Sequence, residues 1–319
     1  MKANKVVIAG GSGFLGTTLA RAFHENGIDV VVLSRHPKLC PWRVVEWDGH
    51  SLDTWACEIN GADVVINLAG RNVNCRYNER NRQEILRSRI DSTRVIRKAI
   101  AIAANPPKLW LQMSTATIYA HRHDAPNDEA TGRMGDVEPE HPSWEFSVHV
   151  ARVWEDALCS AITPHTRRVA LRSAIVQSAG RGGFFDIVLG LVRHGLGGTT
   201  GNGRQMVSWI HEDDFVNAVR WLIEHEEIDG PVNVVSPNAV PNREFMRDLR
   251  RAWGTPIGLP ASSFVLEFGT WLMRTESELV LKSRWVRPAR LLERGFQFAW
   301  PDWKTAAVDL CRRWRSDRR

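Results

Sequence analysis

Tyrosine is scarce in this 319-residue chain, which has only Tyr77 and Tyr119, and the residues four places after them are Asn81 and His123. A Tyr-x-x-x-Lys pair, in which lysine lowers the proton affinity of a phenol one helical turn away, is therefore excluded. Cysteine is sparse too. Cys40, Cys57, Cys75, Cys159 and Cys311 are odd in number, scattered and never spaced as C-x-x-C. That excludes a disulfide framework and a zinc knuckle, and it suits a reducing compartment. No apolar run reaches the roughly 18 residues that a membrane span needs. The apolar start, Val6 to Ala9, leads into glycines rather than a cleavage site. A cytoplasmic protein without a membrane partner is expected. Nothing is arranged as a Ser-His-Asp triad, a P-loop lysine or paired glycosidase carboxylates.

Charge is unevenly spread. Residues 282–319 hold eleven Lys/Arg against four Asp/Glu, so the tail alone carries more than the whole net charge of +6. Such an end could meet nucleic acid or an acidic partner. Its charges, however, alternate with Trp285, Phe296, Trp300, Trp303 and Trp314 at helical spacings, so they read as the solvated face of amphipathic helices and nucleic acid is not the expected partner.

Short Val/Ile-rich runs alternate with longer amphipathic stretches up to about residue 172, the pattern of βαβ units around a parallel sheet. The spacing predicts strands at Val6–Ala9, Val30–Leu33, Arg43–Trp47, Val64–Asn67, Leu109–Met113, Val169–Arg172 and Val232–Val235. Helices are predicted at 15–26, 80–103, 144–161 and 213–226. The fold class is α/β: a Rossmann-type doubly wound parallel sheet with a smaller, mainly helical C-terminal lobe. Residues 1–172, with 205–236 returning to them, make the nucleotide-binding domain, and 173–204 with 237–319 make the smaller lobe. The glycine clusters between Gly180 and Gly203 read as loops over a cleft.

The strongest chemical signal is Gly10-Gly11-Ser12-Gly13-Phe14-Leu15-Gly16, set between a buried strand and a helix. Glycine lets the backbone turn sharply and approach a diphosphate, while the helix offers free N–H groups and its positive dipole end. After the second strand, where an NAD site places a carboxylate for the ribose, stand Ser34 and Arg35. A hydroxyl and a guanidinium suit a 2′-phosphate, so NADP(H) is the expected cofactor.

These features, with Trp47-Asp48, Asn67-Leu68-Ala69-Gly70, Glu84, Ser88-Arg89, Gly203-Arg204-Gln205, Ser208-Trp209-Ile210-His211, Asp213-Asp214 and Leu291-Leu292-Glu293-Arg294-Gly295-Phe296, resemble the extended short-chain dehydrogenase/reductases. Within them the chain is most similar to the atypical NAD-dependent epimerase/dehydratase-like branch with its own C-terminal domain. The likeness spans nearly the whole chain. It implies that Leu68 and Ala69 line the adenosine side, with Glu84, Arg89 and Val176 nearby, and it adds Asp48 and Gly70 to the cofactor set alongside Gly10, Gly13, Phe14, Leu15 and Gly16. From the residues alone, Asn67 to Gly70 reads equally as a ligand approach or a tight turn, and Glu84 and Arg89 read as surface charges.

Aligned through Ala151-Arg152-Val153-Trp154-Glu155, the chain has Ser147 and Ala151 where that superfamily has its tyrosine and lysine. The catalytic candidates left are Thr115, Ser114 and Tyr119, at the end of the fifth strand. The two hydroxyls could hold a substrate oxygen or only satisfy loop backbone groups. Tyr119 could donate a proton from an unusual position or pack under the next loop. Arg204 reads either as an anchor for an anionic substrate group or as a surface arginine. His121 and His123 lack a fixed shared face, so no metal is expected. His211 and Asp214 read as structural groups at a helix start. Two functions fit: an oxidoreductase or epimerase-like enzyme acting on a small, sugar-like carbonyl or hydroxyl compound, and a regulator that senses NADP(H) and passes its state to a partner. A homodimer is compatible with either.

Overall fold

The computed structural model describes residues 1, 3–135, 142–260 and 282–318. The chain runs β1 (Lys5–Ala9), α1 (Phe14–His24), β2 (Asp29–Ser34), β3 (Arg43–Glu46), β4 (Val64–Asn67), α2 (Glu79–Ile102), β5 (Leu109–Thr115), α3 (Pro142–Cys159) and β6 (Arg167–Ser173). It continues through β7 (Ile175–Gln177), α4 (Phe184–Arg193), β8 (Met206–Val207), β9 (Trp209–His211), α5 (Glu212–Glu224), β10 (Gly230–Val234), β11 (Val240–Pro241) and α6 (Asn242–Trp253). The last two helices are α7 (Ala289–Glu293) and α8 (Trp303–Ser316).

Strict alternation along the strands builds a core on both sheet faces. Val6 and Ile8 of β1 point into one cluster with Leu19 and Phe23 of α1 and Phe215, Val219 and Leu222 of α5. Val7 and Ala9 point into the other, with Val95, Ile96 and Ile100 of α2 and Leu158 of α3. Because both faces are buried, the strands read as continuous apolar runs. The sheet has seven strands in the order β10-β6-β5-β4-β1-β2-β3. Every pair in it is parallel. The strand order reverses between β1 and β4, and the crevice above their carboxyl ends is where such sheets take ligands.

The glycine clusters after β6 lie in loops and turns, and between them stands a helix that the sequence reading did not include. Phe184–Arg193 forms a helix, whose Phe185, Leu189 and Val192 pack with Phe245 and Leu249 of α6 and Trp303 and Leu310 of α8. Trp303 stacks on Phe245 at 3.9 Å between ring centroids and donates Nε1–H to the Phe245 carbonyl at 2.9 Å.

Many cations of the tail are used internally. Arg290 bonds the carbonyls of Asp229 and Pro231 beside β10. Arg313 holds both oxygens of Asp213 at 2.9 and 2.6 Å, and Arg318 reaches Asp186 at 2.8 Å. Arg290 thus ties α7 to β10, while Arg313 and Arg318 tie the C-terminal end to α5 and α4. Among the described residues no helix is long and apolar enough to cross a membrane.

Candidate functional site

The turn between β1 and α1 is shaped by steric necessity. Gly10 has φ +72°, and a Cβ there would lie 2.8 Å from the Ala69 backbone. A Cβ on Gly16 would stand 2.3 Å from Gly11 Cα, so the helix and the turn can touch only through glycine. Gly13 is different: the nearest atom to a Cβ there is the Gly10 carbonyl oxygen at 3.5 Å, an ordinary contact. The protein leaves room at Gly13 for something else. Gly13 also begins α1 without a side-chain cap, and the first turn carries no acidic residue. Free N–H groups at an uncapped, glycine-lined helix start suit a diphosphate. Phe14, 43% exposed, stands on the rim of this turn, and Leu15 packs against the core behind it.

Ser34 ends β2 buried, its Oγ accepting the His36 N–H at 3.2 Å. Arg35 is exposed and, among the described residues, makes no hydrogen bond or ion pair. Asp48 faces its own loop: Oδ1 accepts the N–H groups of His50 and Ser51, both at 2.8 Å. Slight burial pushes its pKa up, and those N–H bonds more than offset it, so the carboxyl titrates below its ordinary value.

On the other side of the switch point, the buried Asn67 donates to Gln112 Oε1 and Ser92 Oγ and accepts the Ala69 N–H at 3.0 Å. This fixes Leu68, Ala69 and Gly70 over the end of β4. A Cβ on Gly70 would lie 3.2 Å from Arg89 Cζ. Arg89 bonds the carbonyls of Arg71 and Ile85 and lies over the Trp154 ring, and burial lowers its pKa to about 10. It is a tucked-in cation rather than a surface charge. Glu84 pairs with Arg71 and Arg80. Val176 sits in a separate two-stranded ladder opposite Ile210 and packs against the core.

The catalytic candidates separate cleanly. Ser114 donates to Glu155 Oε1 at 2.5 Å. Glu155 in turn takes two bonds from Arg172, Nε to Oε1 at 2.9 Å and Nη2 to Oε2 at 2.7 Å. Arg172 Nη1 donates to the Tyr119 hydroxyl, which donates to Asn233 Oδ1, both at 2.9 Å. Asn233 passes the network on, donating its N–H to Glu129 and its Nδ2 to the Arg287 carbonyl. Burial pushes the Tyr119 phenol up and Arg172 only partly opposes it. Burial also works against the charge of Arg172, but the Glu155 carboxylate outweighs it and keeps the guanidinium charged. Ser114 and Tyr119 are each 2% exposed, and of the two roles open to each, these bonds are those of the structural one. Thr115 remains, part-buried, its Oγ1 accepting the Thr117 N–H at 3.2 Å with its O–H left to donate. Ala151, at the lysine position, is fully buried among Ala116, Ile118 and Tyr119.

This network escaped the sequence reading. Its signal was an arginine inside the apolar run Val169 to Ser173, a charge that a buried strand holds only with a partner.

His123, Asn202 and Arg204 line an open pocket of about 370 Å³. The Arg204 guanidinium has no hydrogen bond or ion pair among the described residues. His121 Nδ1 accepts the Ser283 N–H at 2.8 Å, tying this wall to the C-terminal segment. His211 and Asp214 are anchors. His211 caps α5 by accepting the Asp213 N–H, and burial lowers its pKa to about 4. Its Nε2 lies 3.3 Å from Asp309 Oδ2, in contact but not aligned for a hydrogen bond. Asp214 accepts the N–H groups of Ala299 and Trp300.

A doubly wound sheet with an uncapped glycine turn at its switch point defines a dinucleotide-binding protein of the Rossmann class. Residues 6–235 match the NAD dependent epimerase/dehydratase family, and the chain belongs to that family. Residues 261–310 match a domain of unknown function, DUF1731. The human epimerase family protein SDR39U1 is 31% identical over 311 residues, 96% of this chain and 99% of that one. YfhF of Bacillus subtilis, also an epimerase family protein, is 29% identical, covering 96% and 97%. The crystal structure of human SDR39U1 (isoform 2) with NADPH superposes with a TM-score of 0.84 at 30% identity, covering 97% of this chain and 99% of that one.

Proposed function

We propose that this chain binds NADP(H) in the switch-point crevice and acts on a carbonyl or hydroxyl compound in the adjoining cleft, as an oxidoreductase or epimerase-like enzyme. The observation that carries the reading is Arg35, an exposed guanidinium without a partner among the described residues, directly after the strand that precedes the adenosine side. The human relative's NADPH is consistent with it. Gly10, Gly13 and the first turn of α1 would hold the diphosphate, with Ser34 and Arg35 at the 2′-phosphate and Leu68, Ala69 and Gly70 along the adenosine. Bound, the cofactor supplies or accepts a hydride.

The rest falls to the chain's own residues. Thr115 orients a substrate oxygen by donating its hydroxyl, while Arg204 and Asn202 hold a polar or anionic end of the substrate. Protons come and go through water, because the Ser114 and Tyr119 hydroxyls are engaged elsewhere. The reading is tested by incubating the protein with 4-deuterated NADPH and a panel of carbonyl and sugar-nucleotide compounds, following transfer of deuterium. Thr115→Val is expected to slow transfer about fivefold, the worth of one neutral hydrogen bond of about 1 kcal/mol, with the thermal midpoint unchanged. Equal rates would remove Thr115 from the mechanism.

One observation favours a second reading. With Ser114 and Tyr119 tied into the Arg172 network and an alanine in the core at the lysine position, the machinery of this superfamily for moving a proton is gone. A protein that reports NADP(H) occupancy through its C-terminal lobe would have no need of it. Absence of deuterium transfer across the panel, with NADPH bound, would select that reading.

A further inference from the structure

The loop between β7 and α4, which meets the start of α1, carries a cation that the cofactor set above does not use. The loop between β7 and α4 reads Gly180-Arg181-Gly182-Gly183. A Cβ on Gly180 would lie 3.4 Å from the Phe14 ring, so this loop abuts the residue that follows Gly13. Arg181, next in the chain, is exposed and makes no hydrogen bond or ion pair with the described residues. The carboxylate nearest along the chain is already engaged. Asp186 Oδ1 accepts Trp314 Nε1–H at 2.6 Å and Arg318 Nη2–H at 2.8 Å, and its Oδ2 accepts the Gly182 N–H at 2.9 Å. Arg181 therefore adds only its field at Asp186, where it is the last of several influences. The first turn of α1 has neither a capping side chain nor an acidic residue. The loop that carries Arg181 thus meets the positive start of α1 at Phe14.

We propose that Arg181 clamps the cofactor's diphosphate from the side opposite α1. The inference rests on the dinucleotide reading of the crevice and extends it to a second wall. A diphosphate bound only to backbone N–H groups keeps its outer oxygens toward solvent. The planar guanidinium can take two of them in charge-assisted bonds, which a lysine's point charge matches less well. Because the diphosphate is common to all dinucleotides, Arg181 governs affinity, whereas Arg35 governs the choice between phosphorylated and unphosphorylated ribose.

Titration calorimetry of the full chain separates the two. Arg181→Met is expected to raise the Kd of NADPH and of ADP-ribose by about fivefold each, while 2′-AMP, which has the 2′-phosphate and no diphosphate, binds as it does to the unaltered protein. Arg181→Lys is expected to recover part of the loss. An unchanged NADPH Kd in Arg181→Met, its thermal midpoint intact, overturns the clamp, as does an equal loss for 2′-AMP. An unaltered protein that binds neither NADPH nor ADP-ribose defeats the dinucleotide reading itself, and the clamp with it.

Discussion

Arg172→Met is expected to destabilise the fold by about 3–5 kcal/mol, the usual effect of removing one partner of a buried ion pair. Methionine fills the arginine's path but leaves the Glu155 carboxylate buried, with the Ser114 hydroxyl as its remaining partner among the bonds described above. Tyr119 loses the donor to its hydroxyl as well. Urea unfolding followed by far-UV circular dichroism measures the change. The double variant Arg172→Met, Glu155→Leu removes both charges together and is expected to regain much of the loss, since apolar replacement of a whole buried pair is often neutral or better. A loss under about 1 kcal/mol in the single variant would mean that water reaches the pair and that the network is not a structural centre of the molecule. The consequence reaches the C-terminal segment, because Asn233 and Glu129 carry the same network to the N–H groups of Ala289 and Arg290.

Arg35→Ala is expected to weaken NADPH binding by about tenfold, or ~1.4 kcal/mol, and to leave NADH nearly unchanged. The guanidinium gives no hydrogen bond or ion pair to the described residues, so its removal costs the fold little and the whole effect falls on the ligand. Ser34, whose Oγ already accepts the His36 N–H, can give the phosphate at most one neutral O–H bond and does not replace the guanidinium. Binding titrations with both cofactors read the ratio directly. Equal losses for NADPH and NADH would place Arg35 away from the 2′-phosphate.

Much of the sheet was legible because each strand is a short apolar run bounded by turn residues, and because parallel strands buried on both faces leave that pattern. Val64–Asn67 was delimited from sequence to the residue, with nothing competing inside it. Helix α4 was not legible. Its apolar face is regular, but Gly180, Gly182 and Gly183 before it and Gly195, Gly197 and Gly198 after it read as loop, and glycine also stands inside it at Gly190. Only packing against α6 and α8 decides for helix, and those partners lie 50 or more residues away.

At the site, the glycine turn was legible because its spacing and its place between a buried strand and a helix are written in consecutive residues, with Gly16 forced by Gly11 inside the motif. Arg89 was not. As one charge among many on α2 it resembled solvent-facing positions, and what singles it out is Gly70 from another element passing beneath it. Ser114, Thr115 and Tyr119 could not be ranked from sequence, since adjacent residues at a strand end face opposite ways and the partner that claims Ser114, Glu155, lies 41 residues on. The arginine in β6 was the available clue.

The claim on which the rest depends is that the crevice between β1 and β4 binds NADP(H). Side-by-side titration of the purified chain with NADPH and NADH, followed by quenching of its fourteen tryptophans, tests it most directly. Saturable binding with NADPH tighter by about tenfold, from the charge-assisted pair at Arg35, is the predicted result. A folded protein that binds neither cofactor, or binds NADH as tightly as NADPH, would contradict it.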